Sequence, residues 1–522
     1  MTKGELALVL HAHLPYVRSA EHSSLEEDWF YQALMECYLP LLEILEAAER
    51  DPKQNPKVTI GLSPTLLSLL NDKDLKRRFP KWLSIRLELL KSAPNEHKNA
   101  AEHLTKRIEL QLDHWQKGQD DLIHRFANLQ NLGVLDLLTC AATHGYLPLL
   151  RENPEAIRGQ LNTAVREHER LIGVPPIGIW LPECAYYEGL DVLILEAGLK
   201  YAVLDAHGIL HGNPRPKYGI YAPICTKNRV AFFGRDSDST LPVWSAKDGY
   251  PGNPYYREFH RDLGWDLPIK DLEGLGLNEP RPLGLKLHRV TDPRTALQNK
   301  KPYEPELANK LVRKHAKHYL KGRKLQLESL ASTTGIIPSV VAPFDAELFG
   351  HWWYEGPAFL SELFSQSEEH QVTFTRLRDL LSNTPNLQVC DPSPSSWGQG
   401  GYHDYWLNES NAWVVTEWSK AGLAMQRNIE NLGHEKSKSR LFKQAARELL
   451  LAQSSDWSFI LRAGTTTSLA KERIHRHLER FWRLIEIIEG HKTFSEEYLG
   501  QLEKEDNIFP MIQIKDWSPL KV

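Results

Sequence analysis

The sequence predicts an α/β fold: an incomplete (β/α)7 barrel with a helical insertion and a C-terminal α-helical domain. Three observations carry this expectation. Short β-rich apolar runs stand far apart, helical patterns fill most of the gaps between them, and most runs end in polar residues able to do chemistry. Buried parallel strands alternating with helices build barrels or doubly wound sheets, which hold their sites at the C-terminal ends of the strands.

The runs come in order. Leu6–Leu10 leads into His11, and Val58–Gly61 follows. Val134–Leu138 runs toward His144, Ile177–Trp180 toward Glu183, and Tyr201–Asp205 stands alone. Val230–Phe233 and Ile336–Val341 complete the set, the last leading to Asp345. Seven strands suit an incomplete barrel assigned to 1–72 and 131–395. Between its two parts, 73–130 is rich in Leu, Lys and Glu at helical spacing and reads as a helical insertion. Residues 245–305 are rich in Gly, Pro and Tyr, which favours a long ordered loop over the cleft. After Asp391–Pro394 amphipathic runs return around Lys443–Leu451 and Ile474–Gly490, giving a helical domain over 396–522.

Composition narrows the function. The chain has 522 residues, with 63 Lys and Arg against 67 Asp and Glu. It therefore lacks the basic field that nucleic acid or an anionic membrane would need. Five cysteines, odd in number and never in a Cys-x-x-Cys pair, indicate neither a disulfide framework nor a zinc knuckle. With an apolar start only five residues long, the expected compartment is the cytoplasm. Fifteen Trp against four Met, several of them clustered beside polar residues, suggest flat apolar surfaces next to hydrogen-bonding groups.

Three constellations could carry chemistry. His11 and His13, two apart at a strand end, point to one side and could grip a polyhydroxylated substrate or a metal, with His144 or Asp345 as a further ligand. Glu183 follows a buried run among aromatics, and Asp345 opens a segment to Gly356 dense in acids, His351 and aromatic side chains including Trp352. Two carboxylates on separate strand ends suit glycosidic cleavage, one attacking the anomeric carbon and one protonating the leaving oxygen. Indole faces suit the C–H faces of sugar rings. Trp397, Trp406 and Trp413 lie in such clusters.

Taken together these segments resemble glycoside hydrolase family 57, and more narrowly its 1,4-α-glucan branching enzymes. The resemblance rests on His11-Ala-His-Leu-Pro-Tyr16, Ala142-Thr-His-Gly-Tyr146, Trp180-Leu-Pro-Glu183, Val243-Trp-Ser245, Gly249–Gly252, Tyr256–His260, Pro343–Gly356, Ser396-Trp-Gly398, Trp406–Glu409 and Ser455-Asp-Trp457. It implies a retaining reaction on an α-glucan such as glycogen, amylose or a starch-like chain, without cofactor or metal. Glu183 would be the nucleophile and Asp345 the acid. His11, His13 and His144 would hold sugar hydroxyls. Trp352, Trp397, Trp406 and Trp413 would wall the glucan groove, which the C-terminal domain helps to build. His351, Arg261 and Asp262 are further candidates. One departure stands out: branching members usually carry a long lid loop with a Tyr, whereas here His207–Gly234 is short, with Tyr218 and Tyr221 in it. Losing that cover favours hydrolysis, so an amylase-like outcome is the alternative. A metal-dependent deacetylase or mannosidase using His11, His13 and Asp345, and a glucan-binding protein without catalysis, are remoter readings.

Overall fold

Aliphatic and β-branched runs too short for helices become strands buried on both faces. The computed structural model describes residues 4–18, 24–245, 247–277, 279–292, 294–384 and 386–518. Its strands are β1 (Glu5–Ala12), β2 (Val58–Leu62), β3 (Leu135–Leu138), β4 (Gly178–Ile179), β5 (Tyr201–Leu204), β6 (Ile224–Cys225), β7 (Ala231–Gly234), β8 (Ser339–Asp345), β9 (Thr373–Phe374) and β10 (Gln388–Val389). All seven expected runs form strands. The last begins at Ser339 rather than Ile336, because Pro338 has no N–H to give a ladder and Ile337 stands in solvent. The two-residue strands β6, β9 and β10 are too short to leave a periodic signal.

The strands form two sheets, one ordered β3-β2-β1-β8 with β9 beside β1, the other β10-β6-β7-β5-β4. Pairing is parallel throughout except between β6 and β7. Two isolated parallel bridges join the sheets, Thr139 with Ile179 and Arg235 with Val341. The fold is thus α/β with a largely parallel sheet.

Helices occupy the intervals as expected. Residues 154–172 form one because Asn153 accepts the Ala156 N–H, Pro154 supplies a preset φ, and Gly173 ends it at φ +92°. Within 73–130 lie helices 73–90, 98–116 and 122–131, the first capped by Asp72. The 245–305 segment has only short helical turns and is organised around buried Asp262, whose carboxylate accepts backbone N–H groups of Gly264, Leu283, Gly284 and Leu285. Five helices from 412 to 505 follow. No helix among the described residues is long and apolar enough to cross a membrane.

Candidate active site

The register of β1 decides what meets at the C-terminal edge. His11 pairs with Asp345 on β8 and with Gly61 on β2. The His11 ring stacks on Trp180 at 4.9 Å and 13°. A Cβ on Gly61 would stand 3.2 Å from both His11 Nδ1 and Trp180 Cβ, so a larger side chain there would press on the stack. His13 projects to the same side, its ring 5.8 Å from His11 and 4.0 Å from His144. His144 Nε2 lies 2.9 Å from His11 Nε2, while its Nδ1 lies 2.8 Å from Ser455 Oγ and 3.9 Å from Glu183 Oε1.

Glu183 is held in an uncommon backbone. Its φ is +61°, followed by +50° at Cys184, and His144 has +57°. Such left-handed geometry in a non-glycine residue costs about 1–3 kcal/mol and persists where surrounding contacts enforce it. Here the segment after β10 provides them: Trp397 N–H donates to the Glu183 carbonyl at 2.9 Å, and its indole Nε1–H donates to Glu183 Oε2 at 2.6 Å.

A third element comes from the C-terminal helices. Asp456 Oδ2 sits 3.0 Å from His13 Nε2, and Ser63 Oγ 2.9 Å from His13 Nδ1. His13 N–H donates to Glu347 Oε1 at 3.0 Å, and the Tyr38 hydroxyl donates to that oxygen.

These surroundings separate the acids. Burial lifts the Glu183 carboxyl to about 7, against the Trp397 hydrogen bond and the charge of His13, which lower it. Asp345 is driven well above the carboxylate range by burial, with the charges of Glu347 and Glu183 adding and Arg235 opposing. Burial alone would lower His13, but the charge and hydrogen bond of Asp456 turn its net shift upward. His11 and His144 are pushed down by burial and by neighbouring imidazoles. The edge thus offers a carboxyl that holds its proton, one that can ionise, and polar groups for hydroxyls.

Possible metal ligands gather in two sets here, His11–Cys140–His144 and His13–His144–Asp456, each with ligand atoms within 4.8 Å. Neither is the His11–His13–Asp345 set of the deacetylase alternative. Both nitrogens of His13 and of His144 already face protein partners, so the site is arranged as a hydrogen-bond network.

A sequence profile for glycosyl hydrolase family 57 matches residues 7–265, and one for the C-terminal part of 1,4-alpha-glucan branching enzyme matches 417–517. The 1,4-alpha-glucan branching enzyme TK1436 of Thermococcus kodakarensis is 32% identical over 542 aligned residues, covering 97% of this chain and 77% of that protein. The chain belongs to glycosyl hydrolase family 57. Two solved structures of similar proteins agree. The alpha-amylase AmyC of Thermotoga maritima matches with TM-score 0.91 and 32% identity over all of both chains. The GH57-type branching enzyme of Pyrococcus horikoshii matches with TM-score 0.88 and 32% identity, over 99% of this chain and 97% of that one.

In this family 57 chain the structure brings His11, His13, His144, Glu183, Asp345 and Trp397 together. Trp352, 44% exposed, lies edge-on to Trp244 at 6.2 Å, and Trp244 is 6.1 Å from Trp397. Trp406 is buried beneath Tyr146, stacked at 4.7 Å, in the same apolar cluster as Trp180 and Trp397. Other candidates are placed elsewhere: Trp413 stacks on His475 at 5.1 Å. His351 Nδ1 faces Glu36 at 2.6 Å, in a network that also binds Arg257. Arg261 pairs with Asp266 and donates to the Leu297 carbonyl beside His97 and His288, and Asp262 organises its own loop. Sequence reasoning did not place Asp456, Arg235 or Trp244 in the site, although Asp456 and Trp244 lie inside quoted motifs. Arg235, which pairs with Asp205 and stands over the Trp397 ring at 5.7 Å, lies next to a strand end and carried no other signal.

Proposed function

We propose that this chain is a retaining α-glucan-active enzyme of branching type. Glu183 attacks the anomeric carbon of an α-1,4-linked chain, giving a glucosyl ester, while Asp345 protonates the departing 4-oxygen. Asp345 then takes the proton of an acceptor 6-hydroxyl, whose oxygen displaces Glu183 and forms an α-1,6 branch. The observation that carries the reading is the pair of half-buried carboxyls at one sheet edge, both pushed upward by desolvation, Asp345 also by the neighbouring charges of Glu347 and Glu183. The names of the relatives support a glucan as substrate. His11, His13 and His144 bind hydroxyls, and Trp352 and Trp397 flank the chain.

The architecture is read in the same way. The two isolated bridges support joining β1, β2, β3, β4, β5, β7 and β8 into a closed (β/α)7 barrel over 1–72 and 131–395, with 73–130 inserted. Residues 396–522 form the helical domain, and the reach of Asp456 to His13 supports its part in the groove.

An amylase-like outcome is the second reading. It is favoured by the likeness to AmyC and by the placement of Tyr218 and Tyr221 away from the carboxylates, beside Glu5 and Ser339 at the N-terminal ends of β1 and β8. Incubation with amylose followed by linkage analysis decides. New α-1,6 linkages are expected; reducing ends without them would mean hydrolysis.

A further inference from the structure

A large cavity lies at the other pole of the sheet. It holds about 980 Å³ and opens between the N-terminal ends of β1 and β8, the segment 216–224, and residues 380–384 and 386–388. Glu5, in its wall, is six residues along β1 from His11, about 20 Å at the rise of a strand, so the cavity is separate from the catalytic edge.

Its lining is specific in kind. Tyr218 and Tyr221 bring aromatic rings, Asn383, Asn386 and Gln388 bring amides, Ser339 and Thr384 bring hydroxyls, and the walls between are aliphatic and proline. Glu5 has no cation or hydrogen-bond donor on its carboxylate among the described residues, and Lys217 has no acidic partner among them. The Lys217 ammonium instead sits 5.1 Å from the centre of the Tyr218 ring. A carboxylate and an ammonium in one cavity oppose both a phosphorylated and a cationic ligand. They suit a neutral one with many hydroxyls, which gives to the carboxylate and accepts from the ammonium and amides. Tyrosine faces suit the apolar sides of sugar rings. The volume is at the upper end for small-molecule pockets and accommodates several sugar units.

We propose that this cavity is a second glucan-binding site, which holds a distant stretch of the same polymer while the catalytic edge works on another. The inference rests on the glucan reading above. A chain held at one pole raises the effective concentration of its other segments at the opposite pole, so the benefit is confined to long substrates.

The test compares Tyr218→Ala and, separately, Asn386→Ala with the parent enzyme on amylopectin and on maltoheptaose. Expected is a five- to tenfold rise in KM for amylopectin with kcat unchanged, and unaltered kinetics on maltoheptaose. In the uncleaving Glu183→Gln background, calorimetry with maltoheptaose should give two sites per chain, falling to one on adding Tyr218→Ala. One site in that background, or an amylopectin KM unmoved in both folded single variants, overturns the proposal. Single-site binding by an enzyme that turns over amylopectin removes the second site alone. Two-site binding without turnover of any α-1,4-glucan by the parent removes the catalytic reading and leaves the binding site standing.

Discussion

Glu183 and Asp345 are both half-buried, and what separates them is which groups reach each carboxyl. As the proposed nucleophile Glu183 has to be ionised to attack, so kcat/KM should rise with pH through its value of about 7. Trp397 donates to the ionised form; Trp397→Phe removes that donor and should move the acid limb to higher pH by about one unit, the size of one hydrogen bond to a charged group. The pH profile of kcat/KM checks this, and an unmoved limb would take Glu183 out of the nucleophile's role. Glu183→Gln should lower turnover of amylose by roughly 10³-fold or more, and Asp345→Asn by about 10²–10⁴-fold, with circular dichroism unchanged. Glu183 was legible because it follows a buried run, and Asp345 because acids interrupt an aromatic segment. The strain at Glu183, φ +61°, was not: nothing in Leu-Pro-Glu-Cys marks a left-handed residue, since it is Trp397, 214 positions away, that fixes the turn.

At the scale of elements, β1 aligns imidazoles and the helix 455–463 supplies the charge that fixes one of them. Asp456 carries most of the upward shift of His13 against burial. Asp456→Asn should therefore lower the His13 pKa and cut kcat/KM about tenfold, close to the roughly 1.5 kcal/mol of a charge-assisted hydrogen bond. NMR titration of the His13 ring is the readout that a merely structural role would not move. The strands that place these residues were readable because each is a continuous buried run ending in a polar residue. The contact itself was not, since it spans 443 positions and depends on how the helices pack. Arg261 shows the same boundary from the other side: its sequence neighbourhood matched a motif, but Asp266, one turn on, captures the guanidinium.

For the molecule as a whole, the C-terminal helices close on a buried polar cluster. Glu448 accepts from Gln444 at 2.8 Å and faces His477 Nδ1 at 2.8 Å, while Arg480 binds Asp506 at 2.5 Å. These side chains tie helix 439–452 to helix 467–488 and to the segment after 505. Burial lifts the Glu448 carboxyl from 4.5 to about 7. Because the folded value exceeds the unfolded one, the folded state binds more protons between those values. Stability from this group is complete below about 4.5 and is lost as pH rises through about 7. Glu448→Gln removes the cost of ionising in place. It should raise the unfolding free energy at pH 8 by about 3 kcal/mol, the size such a shift represents, with a higher melting temperature there and a nearly unchanged one at pH 4.5. Thermal unfolding of both proteins at the two pH values decides the point. A Gln variant less stable at pH 8 than at pH 4.5, relative to the parent, would mean that Glu448 is ionised in the fold and stabilised there by the Arg480 charge.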